Sequence, residues 1–122
     1  MSFVESIRRR ARERRQRIVL PEGEDPRTLE AADRLASEGL VDPIVLIRGG
    51  APTAAASLHS GIHWVDPGED RRLGSLAELL WERRRAKGMS SEEALIAAPD
   101  PVLFAALMVA SGEADGSVAG AL

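Results

Sequence analysis

Apolar positions along the chain switch between a helical period and short unbroken runs, and this alternation predicts the elements. Phe3, Ile7 and Ala11 recur at steps of four behind Ser2. Ser2 and Glu5 have the spacing of a capping box, so a helix is expected over about residues 3–16. Arg17-Ile18-Val19-Leu20-Pro21 is a β-branched run closed by proline and predicts a strand. Asp25-Pro26 then pairs an N-cap with the residue suited to the first helical position. Leu29, Ala32, Leu35 and Ala36 form the helical stripe, and Gly39 marks its stop. Ile44 to Ile47 is apolar throughout, as a strand covered on both faces requires. Residues 17–47 thus read as strand, helix, strand, which is one parallel βαβ unit.

Downstream the same logic continues. Residues 54–58 suggest a short helix and residues 62–65 a third strand, closed by Asp66-Pro67-Gly68. A long helix is expected over about residues 69–86, carrying Leu73, Ala77 and Leu80 and stopped by Gly88. Ser90 with Glu93 is a second capping box, opening a helix to about Ala98. Asp100-Pro101 starts a helix that is apolar nearly all round, so burial is expected for it. Asp115 to Ala121 reads as a glycine-bearing strand. No repeat, low-complexity tract or linker divides the chain. The pattern predicts one α/β domain over residues 1–122, a three-layer α/β/α arrangement with a mainly parallel sheet.

Composition sharpens this picture by exclusion. A chain of 122 residues, 44% hydrophobic and 29% charged, is long enough for one globular core. Aromatics make up 3%, which argues against a base-stacking platform. With no Cys there is no disulfide framework and no thiolate metal site, which suits a reducing, cytoplasmic setting. The longest wholly apolar run, Val102 to Ala110, is too short to span a bilayer, so no membrane partner is expected. The net charge of −3 conceals an asymmetry, because residues 1–17 hold seven Arg against two Glu. Such a head can bind nucleic acid or anionic lipid. Glu5 and Glu13 interrupt the run, and the plainer reading is a solvated helix face.

Candidate chemistry lies in the turns. The acidic turn Glu22-Gly23-Glu24-Asp25 lacks the G-x-G-x-x-G that brings backbone N–H groups to a pyrophosphate, and its carboxylates would repel one. They could hold a cation, pair with Arg27, or serve only as caps and solvated charges. Arg48-Gly49-Gly50 could cradle an anion on backbone donors or be a plain turn. His59 and His63 have metal-ligand spacing only on a helix, and neither a metal nor a Ser/His/Asp nucleophile is expected. Arg84 falls in line with Leu73, Ala77 and Leu80. Carried inward, its guanidinium would need a carboxylate or a bound anion; otherwise it snorkels at the helix end. Gly116 and Gly120 imply a close approach to the strand, by a packed helix or by a ligand.

Three separated stretches, in order, resemble the N-terminal part of the phosphate acetyltransferase (phosphotransacetylase) family. They are Ile18-Val19-Leu20-Pro21-Glu22-Gly23-Glu24-Asp25-Pro26-Arg27-Thr28-Leu29-Glu30-Ala31-Ala32, then Arg84-Arg85-Ala86-Lys87-Gly88-Met89-Ser90, then Phe104 through Ala121. The resemblance covers nearly the whole chain and also touches phosphate butyryltransferases. It implies a coenzyme A thiolate attacking the carbonyl of acetyl phosphate in a ternary complex, in a cleft between two α/β domains. Coenzyme A and acetyl phosphate would be the substrates, with no metal ligand and no bound cofactor, in a homo-oligomer. By resemblance Arg84, Gly120 and Ala121 bind substrate, with Arg83 and Ala86 replacing the family's usual apolar residue and His beside Arg84. The family's catalytic residues would lie beyond residue 122. The resemblance thus implies a truncated product, incomplete in its sheet and inactive alone, whose uncovered sheet edge favours self-association.

Overall fold

The computed structural model describes residues 2–120. Four parallel strands form one sheet: β1 (Gln16–Leu20), β2 (Val41–Leu46), β3 (His63–Val65) and β4 (Gly116–Ser117). They stand in the order β3-β2-β1-β4. The chain therefore winds outward from β1 to β3 and then returns to the opposite side of β1. The helices are α1 (Phe3–Glu13), α2 (Pro26–Ser37), α3 (Leu73–Arg84), α4 (Ser91–Ala97) and α5 (Pro101–Ala110). Short 3₁₀ turns cover Thr53–Ser57 and Arg85–Lys87.

The sheet separates two cores, so the three-layer expectation holds. On one face Leu20 and Val45 pack with Ala32 and Ala36 of α2 and with Ile62. On the other Val19, Ile44, Leu46 and Val65 meet Leu76, Ala77 and Leu80 of α3, Ala94 of α4, and Phe104, Leu107 and Met108 of α5. Successive strand residues face opposite cores, as the period of two demands.

Local chemistry explains several boundaries. Asp25 caps α2 by accepting from the Arg27 N–H, with Pro26 in the first turn. Ser90 and Glu93 form a complete, reciprocal capping box on α4. At α1 only half of the expected box exists: Ser2 Oγ accepts from the Glu5 N–H. β2 starts earlier than the apolar run suggests and includes Pro43. Its ladder with β3 begins only at Ile44, so Pro43 lies where β2 has β1 as its one strand neighbour and a missing donor is tolerated. α3 starts at Leu73 rather than near Glu69, because Asp66 and Asp70 accept from the Gly68 and Arg72 N–H groups and hold turns there. α5 is buried on one side only: Phe104, Ala105, Leu107 and Met108 are inside, while Val102, Ala106 and Ala110 are exposed. Among the described residues no single helix is long and apolar enough to cross a membrane.

Candidate functional site

Where a parallel sheet reverses its strand order, the loops at the carboxyl ends of the two strands part and leave a crevice. Here that point lies between β1 and β4. The segment leaving β1 is the acidic turn, and each of its three carboxylates has a separate protein partner. Asp25 accepts from Arg27, through the backbone N–H at 2.9 Å and the guanidinium Nη2 at 2.7 Å. These bonds hold the Asp25 carboxyl below the usual carboxylate range and the Arg27 guanidinium above its ordinary value. Glu24 accepts from the Arg48 N–H at 3.2 Å. Glu22 Oε1 accepts from the N–H of Gly120, at the end of the β4 segment. The turn thus ties three pieces of chain together, and a cation is not needed to explain its charge.

Two cavities open around it. One of about 270 Å³ is lined by Leu20, Glu22, Arg27, Thr28 and the Val118-Ala119-Gly120 backbone segment. The other, about 550 Å³, lies between Pro21, Glu22 and Pro26 on one side and Pro101 and Val102 on the other. Arg27 is the cation of this crevice; Nε and Nη2 are spent on Asp25, while the side chain stays 68% exposed. An anion presented here would meet a fixed guanidinium whose geometry suits phosphate.

Gly120, a substrate-binding residue by the family resemblance, lines the smaller of these cavities. It has φ +103 and open space around the missing Cβ, so its need is conformational rather than steric. Gly116 is the tight one: a Cβ there would lie 3.2 Å from Ile18 Cδ1 across the strand pair. Ala121 lies outside the described residues. Arg84 does not continue the apolar stripe inward. The core side of α3 ends at Leu80, the helix gives way to a 3₁₀ turn at Arg85, and Arg83 through Lys87 are all exposed. Arg84 lines neither crevice cavity, so among the described residues it and Gly120 are not brought together. Its neighbour Arg85 lies over the Trp81 ring, 5.1 Å from the centroid.

The other candidates are also accounted for. The donors of the Arg48-Gly49 turn are filled by the protein's own carboxylates, Glu24 and Asp66, the latter accepting from the Gly49 N–H at 2.8 Å. His59 Nδ1 accepts from the Gly61 N–H, and His63 sits exposed on β3. Sequence reasoning singled out the Glu22–Asp25 turn and a pairing with Arg27, but it did not place Glu22 and Arg27 against the Val118–Gly120 segment. The only local signal was their place in the turn after the first strand.

Comparison with known proteins decides the lineage. The profile of the family described as phosphate acetyl/butaryl transferase matches residues 2–122. The chain belongs to this family. It is 38% identical to the phosphate acetyltransferase of Thermoanaerobacterium thermosaccharolyticum, covering 100% of this chain and 38% of that protein. It is likewise 38% identical to that of Paracoccus denitrificans, covering 36% of it. Among solved structures, the EutD phosphotransacetylase of Staphylococcus aureus superposes with a TM-score of 0.83 at 32% identity, over 98% of this chain and 37% of that one. A phosphotransacetylase of Streptococcus pyogenes gives 0.82 at 30%, over 100% and 39%. The phosphotransacetylase fold is therefore shared along the whole chain, which spans a little over a third of these relatives.

Proposed function

We propose that residues 1–122 supply the N-terminal α/β part of a phosphate acetyltransferase, the enzyme that moves an acetyl group reversibly between coenzyme A and phosphate. In that reaction the thiolate sulfur bonds to the carbonyl carbon of acetyl phosphate, the carbon–oxygen bond to phosphate breaks, and phosphate leaves. The observation that carries the reading is the unbroken match to phosphate acetyltransferases from one end of the chain to the other. The geometry supports it. The crevice at the β1/β4 reversal offers Arg27 to an anionic group and a backbone segment free of bulky side chains at Ala119 and Gly120. Arg84, exposed at the end of α3, contributes to substrate binding only from a surface that further chain completes. The working enzyme is a cytoplasmic homo-oligomer that needs no metal, and residues 1–122 alone do not turn over.

The test is a chimaera in which residues 1–122 replace the matching start of the Thermoanaerobacterium relative. Loss of coenzyme A thiol that depends on acetyl phosphate is expected from the chimaera and absent from residues 1–122 alone. A folded chimaera without that activity, beside an active parent, overturns the reading. Butyryl phosphate in the same assay sets the acyl preference, with acetyl expected to be favoured. A second reading is favoured by one observation: α1 buries none of its residues and displays arginines beside exposed Phe3, Val4 and Ile7. Binding of nucleic acid or anionic lipid that weakens steeply with salt, and vanishes on removing residues 1–17, would support that reading instead.

A further inference from the structure

Glu22 is the one member of the acidic turn whose bond reaches across the sheet reversal. Its direction is imposed by its neighbours. Pro21 is fully buried, and the Gly23 N–H donates to Leu46 O at 3.0 Å. A Cβ at Gly23 would lie 2.4 Å from that oxygen and 2.6 Å from Ile47 Cβ, so the chain leaving β1 is pressed flat against the end of β2. On the other side, the β1–β4 ladder pairs Ile18 with Gly116 and Val19 with Ser117, and the Val118 N–H still reaches Val19 O at 3.0 Å. Past Val118 the described segment has no further backbone partner on β1. The Gly120 N–H takes Glu22 Oε1 instead. The second carboxylate oxygen, Oε2, is buried and has no hydrogen-bond partner among the described residues. Burying a polar oxygen unpaired is costly, so this carboxylate is a poor choice for stability alone.

We infer that Glu22 is a positioning residue: through the Gly120 N–H it sets the path of the Val118–Gly120 segment along the Arg27 cavity, without itself touching substrate. What that segment positions rests on the acetyltransferase reading; the tether itself does not. Removing the side chain deletes one hydrogen bond and one unpaired buried oxygen together, and these effects oppose each other. The signature is therefore a functional loss with little change in melting temperature.

Two measurements test this. In residues 1–122, followed by amide NMR at pH 7, the Gly120 proton is expected to be slow to exchange with solvent. In Glu22→Ala that protection is lost while the Val19 amide is unchanged. A Gly120 amide that exchanges equally in Glu22→Ala and in the native chain, or is unprotected in the native chain, overturns the inference. In the chimaera, Glu22→Ala is expected to lower kcat/KM about tenfold or more, since small misplacements near reacting groups are expensive. Glu22→Gln keeps an acceptor for Gly120 and restores most of the loss, at unchanged melting temperature. Equal kcat/KM in Glu22→Ala and the native chimaera also overturns it. A chimaera inactive with Glu22 present counts against the acetyltransferase reading, and the amide exchange then decides the tether by itself.

Discussion

The two ends of the β1–β4 pair use the same residue types to opposite effect. At the amino ends of the strands Arg17 is fully committed. Its backbone N–H and Nε reach Asp115 Oδ2 at 2.8 and 3.3 Å, and Nη2 reaches Asp115 Oδ1 and Gly112 O at 3.2 and 3.0 Å. Nη1 donates to Glu113 O at 3.2 Å. Arg72 extends the network, clamped to Asp70 at 2.7 Å and facing Glu113 at 3.6 Å. At the carboxyl ends one carboxylate makes one bond to Gly120, one of its oxygens lacks a partner among the described residues, and cavities open on both sides. The amino end fastens β4 to the sheet through satisfied pairs, with a cavity of about 540 Å³ also bordering Arg17, Arg72 and Glu113 there. The carboxyl end is the one whose carboxylate keeps an oxygen unpaired among the described residues. Strand direction decides which is which, because parallel strands place their following loops at the carboxyl end.

The harshest way to break this contrast is Gly23→Ala. Its methyl group meets rigid backbone at 2.4 Å, and overpacking of this kind costs about 1–3 kcal/mol or more. Thermal melting should show the fall, and a normal melt would mean that the turn can shift away from β2. Gly120→Ala meets no neighbour and incurs only the strain of its positive φ, about 1 kcal/mol, so its melt should fall less. Next comes Arg17→Ala, which strips the fastening from the amino end. A melting temperature several degrees lower is expected, with unaltered kcat/KM in the chimaera below the melt.

Acid sharpens the same point. The Asp115 carboxyl is held below the usual range by the Arg17 guanidinium, and Asp70 by Arg72. Carboxyls depressed in the folded state contribute stability that is present above their unfolded value, about 3.9, and lost as pH falls through the folded one. The urea midpoint should therefore hold from pH 7 to about 5 and decline below about 4. Asp115→Asn should lower the plateau and flatten the decline. A midpoint as acid-sensitive in that variant as in the native chain would remove the Arg17 pair from the account. The smallest effect is Arg84→Ala, expected to change stability by about 0.5 kcal/mol or less because the residue is exposed.

What the sequence made legible was mostly local. Asp25-Pro26 and Ser90 with Glu93 announce helix starts through bonds spanning two or three residues, and both stand in the structure. The layered, mainly parallel sheet followed from the alternation of periods. Two things resisted. Arg84 kept the spacing of the α3 stripe, yet spacing says only which side of the helix a residue is on. Among the described residues the core side of α3 ends at Leu80, and Arg84 on the next turn is exposed. The Glu22–Gly120 tether joins residues 98 apart, and no local pattern foretells a side chain that must wait for β4 to arrive. Glu22 read as one more solvated carboxylate because the constraint on it comes from Gly23 against Leu46.

The most direct test of the division between a fastening end and a working end is kcat/KM for acetyl phosphate in two chimaeras, Arg27→Ala and Arg17→Ala, each measured well below its melting temperature. The account predicts a fall of about tenfold or more for Arg27→Ala, since loss of one well-placed donor to developing charge has effects of that order, with a melt lowered because the Asp25 pair is lost with it. It predicts native kcat/KM for Arg17→Ala with a lowered melt. Native turnover without Arg27, together with lost turnover in a folded protein lacking Arg17, would contradict it.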